Sequence, residues 1–100
     1  MLYELKIHDR QHALDQAIII EYDALLLHED IEKLAITAEC EIQEFIEETY
    51  DDANETMCDI AELYDDGFKL EAIVDYLCTY NGFTRWYPPK KISVYINWGR

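Results

Sequence analysis

His8 and His12 stand four residues apart with Asp9 and Asp15 nearby, residue types that could ligate zinc if a helix put both imidazoles on one face. His8, however, closes an alternating segment that reads as a strand, so the spacing does not bring the pair together. A surface histidine just ahead of a helix is the plainer reading. Asp51, Asp52 and Glu55 offer oxygens to a hard cation but lack the loop glycine and ligand alternation of a calcium hand. Ser93 is the sole serine, lies in another alternating segment and has no histidine close to it in sequence. No nucleophile–base pair is therefore visible, and no glycine-rich loop is present to cradle phosphate. Acid–base work by paired carboxylates needs a desolvated cleft, whereas the acids here fall on a polar helix face. The residues predict a non-enzymatic protein with no catalytic group, no metal and no cofactor.

The remaining chemistry is charge. Between Glu29 and Asp66 lie Glu29, Asp30, Glu32, Glu39, Glu41, Glu44, Glu47, Glu48, Asp51, Asp52, Glu55, Asp59, Glu62, Asp65 and Asp66, with Lys33 as the one base. That stretch alone carries the −14 of the whole chain. Its flanks cancel, because the acids of residues 1–28 are offset by Lys69, Arg85, Lys90, Lys91 and Arg100 in the last third. The stretch contains no Gly and no Pro. At about 100° per residue, Ile31, Leu34, Ala35, Ala38, Ile42, Phe45, Ile46, Ala53, Met57, Ile60, Leu63 and Tyr64 share one side, and every acid but Glu32 and Glu39 takes the other.

The elements that position this face follow from periodicity. Leu2–His8 alternates as a strand with one face buried. Asp9 is expected to cap a first helix over about Arg10–His28, although the β-branched run Ile18-Ile19-Ile20 keeps a strand open there. Asp30 is expected to cap the acidic helix. Asp52-Ala53-Asn54-Glu55 resembles a capping box that would break that helix near Thr49–Asp52, but the unbroken apolar register favours one continuous helix ended by Asp65-Asp66-Gly67. Lys69–Tyr80 is a further helix, stopped by Asn81-Gly82. Phe83–Tyr87 and Ile92–Trp98 read as two strands around Pro88-Pro89. The expected fold is α+β and mainly helical, one domain over 1–100, in the order β-α-α-α-β-β, with a small antiparallel sheet made of the N-terminal strand and a C-terminal hairpin.

Half of the residues are hydrophobic and thirteen are aromatic, too apolar for a disordered acidic tail. Cys40, Cys58 and Cys78 form no C-x-x-C pair. On one straight helix Cys40 and Cys58 would lie roughly 27 Å apart, so a reducing cytoplasmic setting is expected. Met1 leads into an alternating segment that does not read as a signal peptide, and no apolar run is long enough to span a membrane.

A continuous acidic helix of this length would extend about 57 Å and present a carboxylate about every 3.8 Å along its axis, close to the roughly 3.4 Å phosphate spacing of one DNA strand. An ordinary solvated helix interleaves lysines at i+4; this one does not. In this respect the chain resembles, in physical type, the small acidic DNA-mimic proteins of phages and mobile elements. These include inhibitors of restriction enzymes, CRISPR effectors and repair glycosylases. The resemblance implies an anti-defence inhibitor that binds a basic nucleic-acid-binding protein through Glu41, Glu44, Glu47, Glu48, Asp51, Asp52, Glu55, Asp59, Glu62, Asp65 and Asp66. It implies no direct nucleic-acid contact and no membrane contact, and leaves a homodimer open. A secondary binding surface is expected at Arg85, Trp86, Tyr87 and Tyr95.

Two alternatives come from other features. Leu63–Leu77 resembles the first two helices of a helix-turn-helix around Gly67, which would make the chain a nucleic-acid-binding regulator. The aromatic C-terminal segment would equally suit a structural or assembly adaptor.

Overall fold

In a computed structural model, the chain is described over residues 1–9 and 14–87, with the backbone alone for 7–9 and 14–16. The order is β1 (Leu2–Asp9), β2 (Leu14–Glu21), α1 (His28–Glu47), α2 (Glu55–Asp65), α3 (Lys69–Tyr80) and β3 (Thr84–Arg85). The three strands form one antiparallel sheet in the order β1-β2-β3.

The strand at β1 and the helix at Lys69–Tyr80 fall where the periodicity puts them. The helix expected over Arg10–His28 does not: Leu14–Glu21 within that span is β2, paired with β1 from Leu2↔Glu21 to Asp9↔Leu14. A stripe of Leu14, Ala17 and Ile18 fits both periods. The choice falls to Ile18-Ile19-Ile20, which is stiff at χ1 and packs well on a pleated surface, and to the adjacent β1, which offers a ladder. Ile20 is fully buried and Ile18 packs against the core.

The C-terminal hairpin is also corrected. One short strand, Thr84–Arg85, pairs with Ile20 and Glu21 of β2, so the sheet's hairpin lies at the N-terminus. The expected strand Ile92–Trp98 lies outside the described residues.

The long acidic helix is two helices. α1 ends at Glu47, with the amides of Glu48 and Thr49 both returning to the Glu44 carbonyl. The Tyr50 ring then folds back onto Phe45 at 5.2 Å between centroids. An Asp51 carboxylate oxygen accepts from the Ala53 amide at 3.0 Å, and Asn54, rather than Asp52, caps α2 by accepting from the Met57 amide at 3.1 Å. Short polar side chains that bond their own backbone compete with helix here. α2 runs back along α1, since Tyr64 near its end meets Glu39 and Gln43. Two amphipathic helices packed face to face keep the apolar period of one long helix, and this is why the register does not reveal the bend. α1 starts at His28 after Leu27, with no side-chain cap; Asp30 lies in its first turn beside Glu29, where negative charge meets the helix dipole.

α2 closes in a Schellman motif: the Phe68 amide reaches the Leu63 carbonyl, the Gly67 amide reaches Tyr64, and Gly67 takes φ +93°. α3 is the centre of the molecule. Its Leu70, Ala72, Ile73, Val74 and Leu77 are buried among Ala38, Ile42 and Phe45 of α1, Met57, Ile60 and Ala61 of α2, and Ile20 of β2. Burying each large side chain contributes about 1.5–3 kcal/mol. No helix among the described residues is long and apolar enough to cross a membrane.

Candidate partner-binding surface

α1 and α2 bury their apolar stripes against α3 and each other, and this turns their remaining faces outward. Glu41, Glu44, Glu47, Glu48, Asp51, Asp52, Glu55, Asp59, Glu62, Asp65 and Asp66 are all exposed. The ion pairs among the described residues are Lys6–Glu4, His28–Glu32, Lys69–Glu39 and Arg85–Glu71, so none engages these carboxylates. Asp51 is the partial exception to their freedom, because its side chain holds the turn.

The bend changes their arrangement from one file to two rows. One follows α1 and the Glu48–Asp52 turn; the other follows α2 in the opposite direction. The two helices are in contact, joined by the Tyr64 hydrogen bonds to Glu39 and Gln43. Neither helix has a basic residue in its last turn, leaving both C-terminal ends negative. Tyr50 stands at the bend, 59% exposed, flanked in sequence by Glu48 and Asp51. Its hydroxyl pKa is raised, chiefly by a hydrogen bond with Cys58 and by the charge that thiol would carry.

Glu39, which periodicity sets apart from the acidic face, is instead structural. Its Oε1 accepts from the Tyr64 hydroxyl at 3.0 Å and meets Lys69 Nζ at 2.9 Å, while Gln43 donates to Tyr64 at 2.8 Å. The hydrogen bond with Glu39 holds the Lys69 pKa above its usual value against a smaller opposing effect of burial. This network ties all three helices together.

The expected secondary surface is only partly assembled. Arg85 is drawn inward, hydrogen-bonded and ion-paired to Glu71, whose role the sequence reading missed. Burial alone would lower the Arg85 pKa; its bonds to Glu71 and Tyr87 outweigh that and raise it. Asp75, one turn beyond Glu71, is pushed up by burial, with Arg85 pulling the other way and Glu71 adding to the rise. The i,i+4 spacing of Glu71 and Asp75 on α3 was the available signal for an arginine between them and the sheet. Trp86 is half-buried and its amide extends the ladder to the Ile19 carbonyl at 3.0 Å, whereas Tyr87 is 69% exposed. These residues line a shallow groove with Ala17, Ile18 and Ile19. Tyr95 lies outside the described residues.

Other sequence features resolve as follows. The three cysteines are free, and the straight-helix separation argued for Cys40 and Cys58 lapses with the bend. The Leu63–Leu77 resemblance is a helix hairpin followed by β3, and no recognition helix follows it among the described residues. No three His, Cys, Asp or Glu side chains there converge as a metal site. Comparison with family models, with curated proteins and with solved structures finds no match.

Proposed function

We propose that this chain is a non-enzymatic binding protein whose acidic helix hairpin occupies the basic nucleic-acid groove of a larger protein and blocks it by phosphate mimicry, as an inhibitor of a restriction, CRISPR or repair system would. The supporting observation is that eleven carboxylates are exposed on two adjacent antiparallel helices and their connecting turn, with no ion pair to any described base. Same-sign crowding opposes folding, and a basic partner relieves it. Two rows of negative charge also suit a groove that grips both backbones of a duplex.

The test is capture from a lysate on the immobilised protein, followed by elution with short duplex DNA. A partner that binds through its nucleic-acid groove is released by duplex and by moderate salt. It is captured poorly by a Glu41, Glu44, Glu48, Asp59 and Glu62 neutralised variant. A captured partner that resists excess duplex, or that binds this variant as tightly as the wild type, contradicts the reading.

A further inference from the structure

We infer that the outer edge of β1 pairs with β1 of a second copy of this chain, antiparallel about a two-fold axis at Leu5, so that Glu4 of each copy faces Lys6 of the other. Met1 and Tyr22 exchange both backbone bonds: the Met1 ammonium donates to the Tyr22 carbonyl at 2.8 Å and the Tyr22 amide donates to the Met1 carbonyl at 3.0 Å. In an antiparallel ladder such exchanging pairs recur at every second residue. Tyr3, Leu5 and Ile7 therefore turn their amides and carbonyls toward β2. Leu2, Glu4, Lys6 and His8 turn theirs outward, at the sheet edge where no described strand pairs. A row of outward donors and acceptors along an eight-residue strand is a template for another strand.

The side chains then select the occupant. Antiparallel self-pairing about Leu5 sets Glu4 against Lys6 of the partner copy, Lys6 against its Glu4, and Leu2 against its His8. These are the outward-bonding residues, so each such pair exchanges two backbone bonds. Glu4 and Lys6 are exposed and already meet within the strand at 3.1 Å; self-pairing extends this contact into a square of alternating charge. Shifting the axis to Glu4 or to Lys6 would set like charges opposite each other, which is destabilising. The register about Leu5 is thus picked out by charge.

Shape and charge elsewhere allow it. A groove of about 540 Å³ runs between β1 and the start of α1, over Tyr3, Leu5, Leu26, Ile31 and Ala35. Glu4, Lys6, His28 and Glu32 line it as well, so an incoming strand would set Tyr3 and Leu5 over a mixed apolar and charged surface. None of the eleven carboxylates on the second half of α1, the turn and α2 lines this groove. The β3 strand lies at the opposite edge, beyond β2, so the chain leaves the described fold on the far side of the sheet.

The test uses the full chain and sedimentation equilibrium over micromolar to millimolar loading. The wild type should dimerise. Glu4→Lys alone sets lysine against lysine across the two-fold axis, and Lys6→Glu alone sets glutamate against glutamate. Each should raise the dimer Kd about tenfold or more, since two attractive cross-strand pairs become repulsive. Mixing the two single variants restores complementary pairs and should restore dimer, as should the double variant. Lys6→Pro removes an outward amide that the fold itself does not use, and an edge strand tolerates proline there; it should be monomeric with an unchanged circular dichroism spectrum. A monomeric wild type overturns the inference, whether the edge is bare or covered by the chain's own remaining residues. A dimer indifferent to the single charge reversals overturns it too.

Discussion

Glu44 and Glu39 lie five residues apart on α1, and neutralising each should move stability in opposite directions. Glu44 is exposed and stands at helical spacing from Glu41, Glu47 and Glu48; Glu62 on α2 stands likewise to Asp59, Asp65 and Asp66. A like-charge pair at i,i+3 or i,i+4 costs about 0.2–0.5 kcal/mol. Glu44→Gln with Glu62→Gln relieves all of these pairs. The unfolded chain retains part of the same repulsion, which leaves a gain of about 1–2 kcal/mol. For a domain of this size about 1 kcal/mol shifts Tm by roughly 4–8 °C. Glu39→Gln removes the same formal charge but takes away the partner of Lys69 and weakens the acceptor of Tyr64. Lys69 is 45% exposed, so solvent limits that loss to about 1 kcal/mol at most. Thermal melts followed by circular dichroism should therefore rise for the Glu44/Glu62 variant at low salt and fall for Glu39→Gln. The rise should vanish near 1 M salt, where the screening length is about 3 Å. A Glu44/Glu62 variant that melts lower than wild type at low salt, or whose gain survives high salt, would refute the self-repulsion on which the acidic surface is argued.

Asn54→Ala should destabilise by about 1 kcal/mol, because the Met57 amide loses its cap, while Asn54→Asp should be tolerated; urea titration of the three proteins checks this. Gly67→Ala should cost about 1 kcal/mol through backbone strain alone, since φ is +93° and an added Cβ meets nothing within 4 Å; the same titration with Gly67→Asn should recover part of the loss. Asp75 has a folded pKa above the ordinary 3.8, so the folded state holds its proton more tightly than the unfolded chain does. Its contribution to stability is therefore gained as pH falls through the folded value, complete below 3.8, and absent at neutral pH. Asp75→Asn should flatten the stability–pH curve in the window just above 3.8, and an unchanged curve in that variant would count against it. Lys69 works at the other extreme: its raised pKa contributes stability that is present below 10.5 and lost as pH rises through the folded value, a loss Lys69→Met should abolish.

How much of this was legible in the chain depends on what competed locally. α3 was readable because Leu70, Ile73, Val74 and Leu77 admit only the helical period and Asn81-Gly82 stops it. β1 was readable because acid and base alternate with apolar residues. β2 was not, since Leu14, Ala17, Ile18 and Tyr22 satisfy a helix while the isoleucine run satisfies a strand, and only pairing with β1 decides. The bend at Thr49–Asn54 carries no Gly or Pro. Its signal was the cluster of Asp51, Asp52 and Asn54, each able to bond its own backbone, and continuity of register outweighed that cluster although a hairpin preserves the same register. The exposure of the acidic residues followed from composition and period together. The inward turn of Arg85 did not, because it depends on where β3 places α3's Glu71 and Asp75.

The bend also sets the size of the nucleic acid that the acidic surface would stand in for. An unbroken helix would span about 57 Å, more than one turn and a half of duplex, and would present one line of charge. The observed α1 has 20 residues and α2 has 11, roughly 30 Å and 16 Å. The partner-facing carboxylates occupy only Glu41–Glu47 of α1 with the turn that follows, and the length of α2, roughly 10 Å and 16 Å of helix, which is less than one duplex turn of roughly 34 Å. Under the proposed function, a duplex of about one turn should therefore displace this chain from its partner nearly as well as a longer one. Competition with duplexes of increasing length, at equal phosphate concentration and fixed salt, measures this directly. Displacement that appears only with duplexes several turns long would mean that the partner's groove extends well past the hairpin, and that two rows of carboxylates on α1 and α2 are too short to close it.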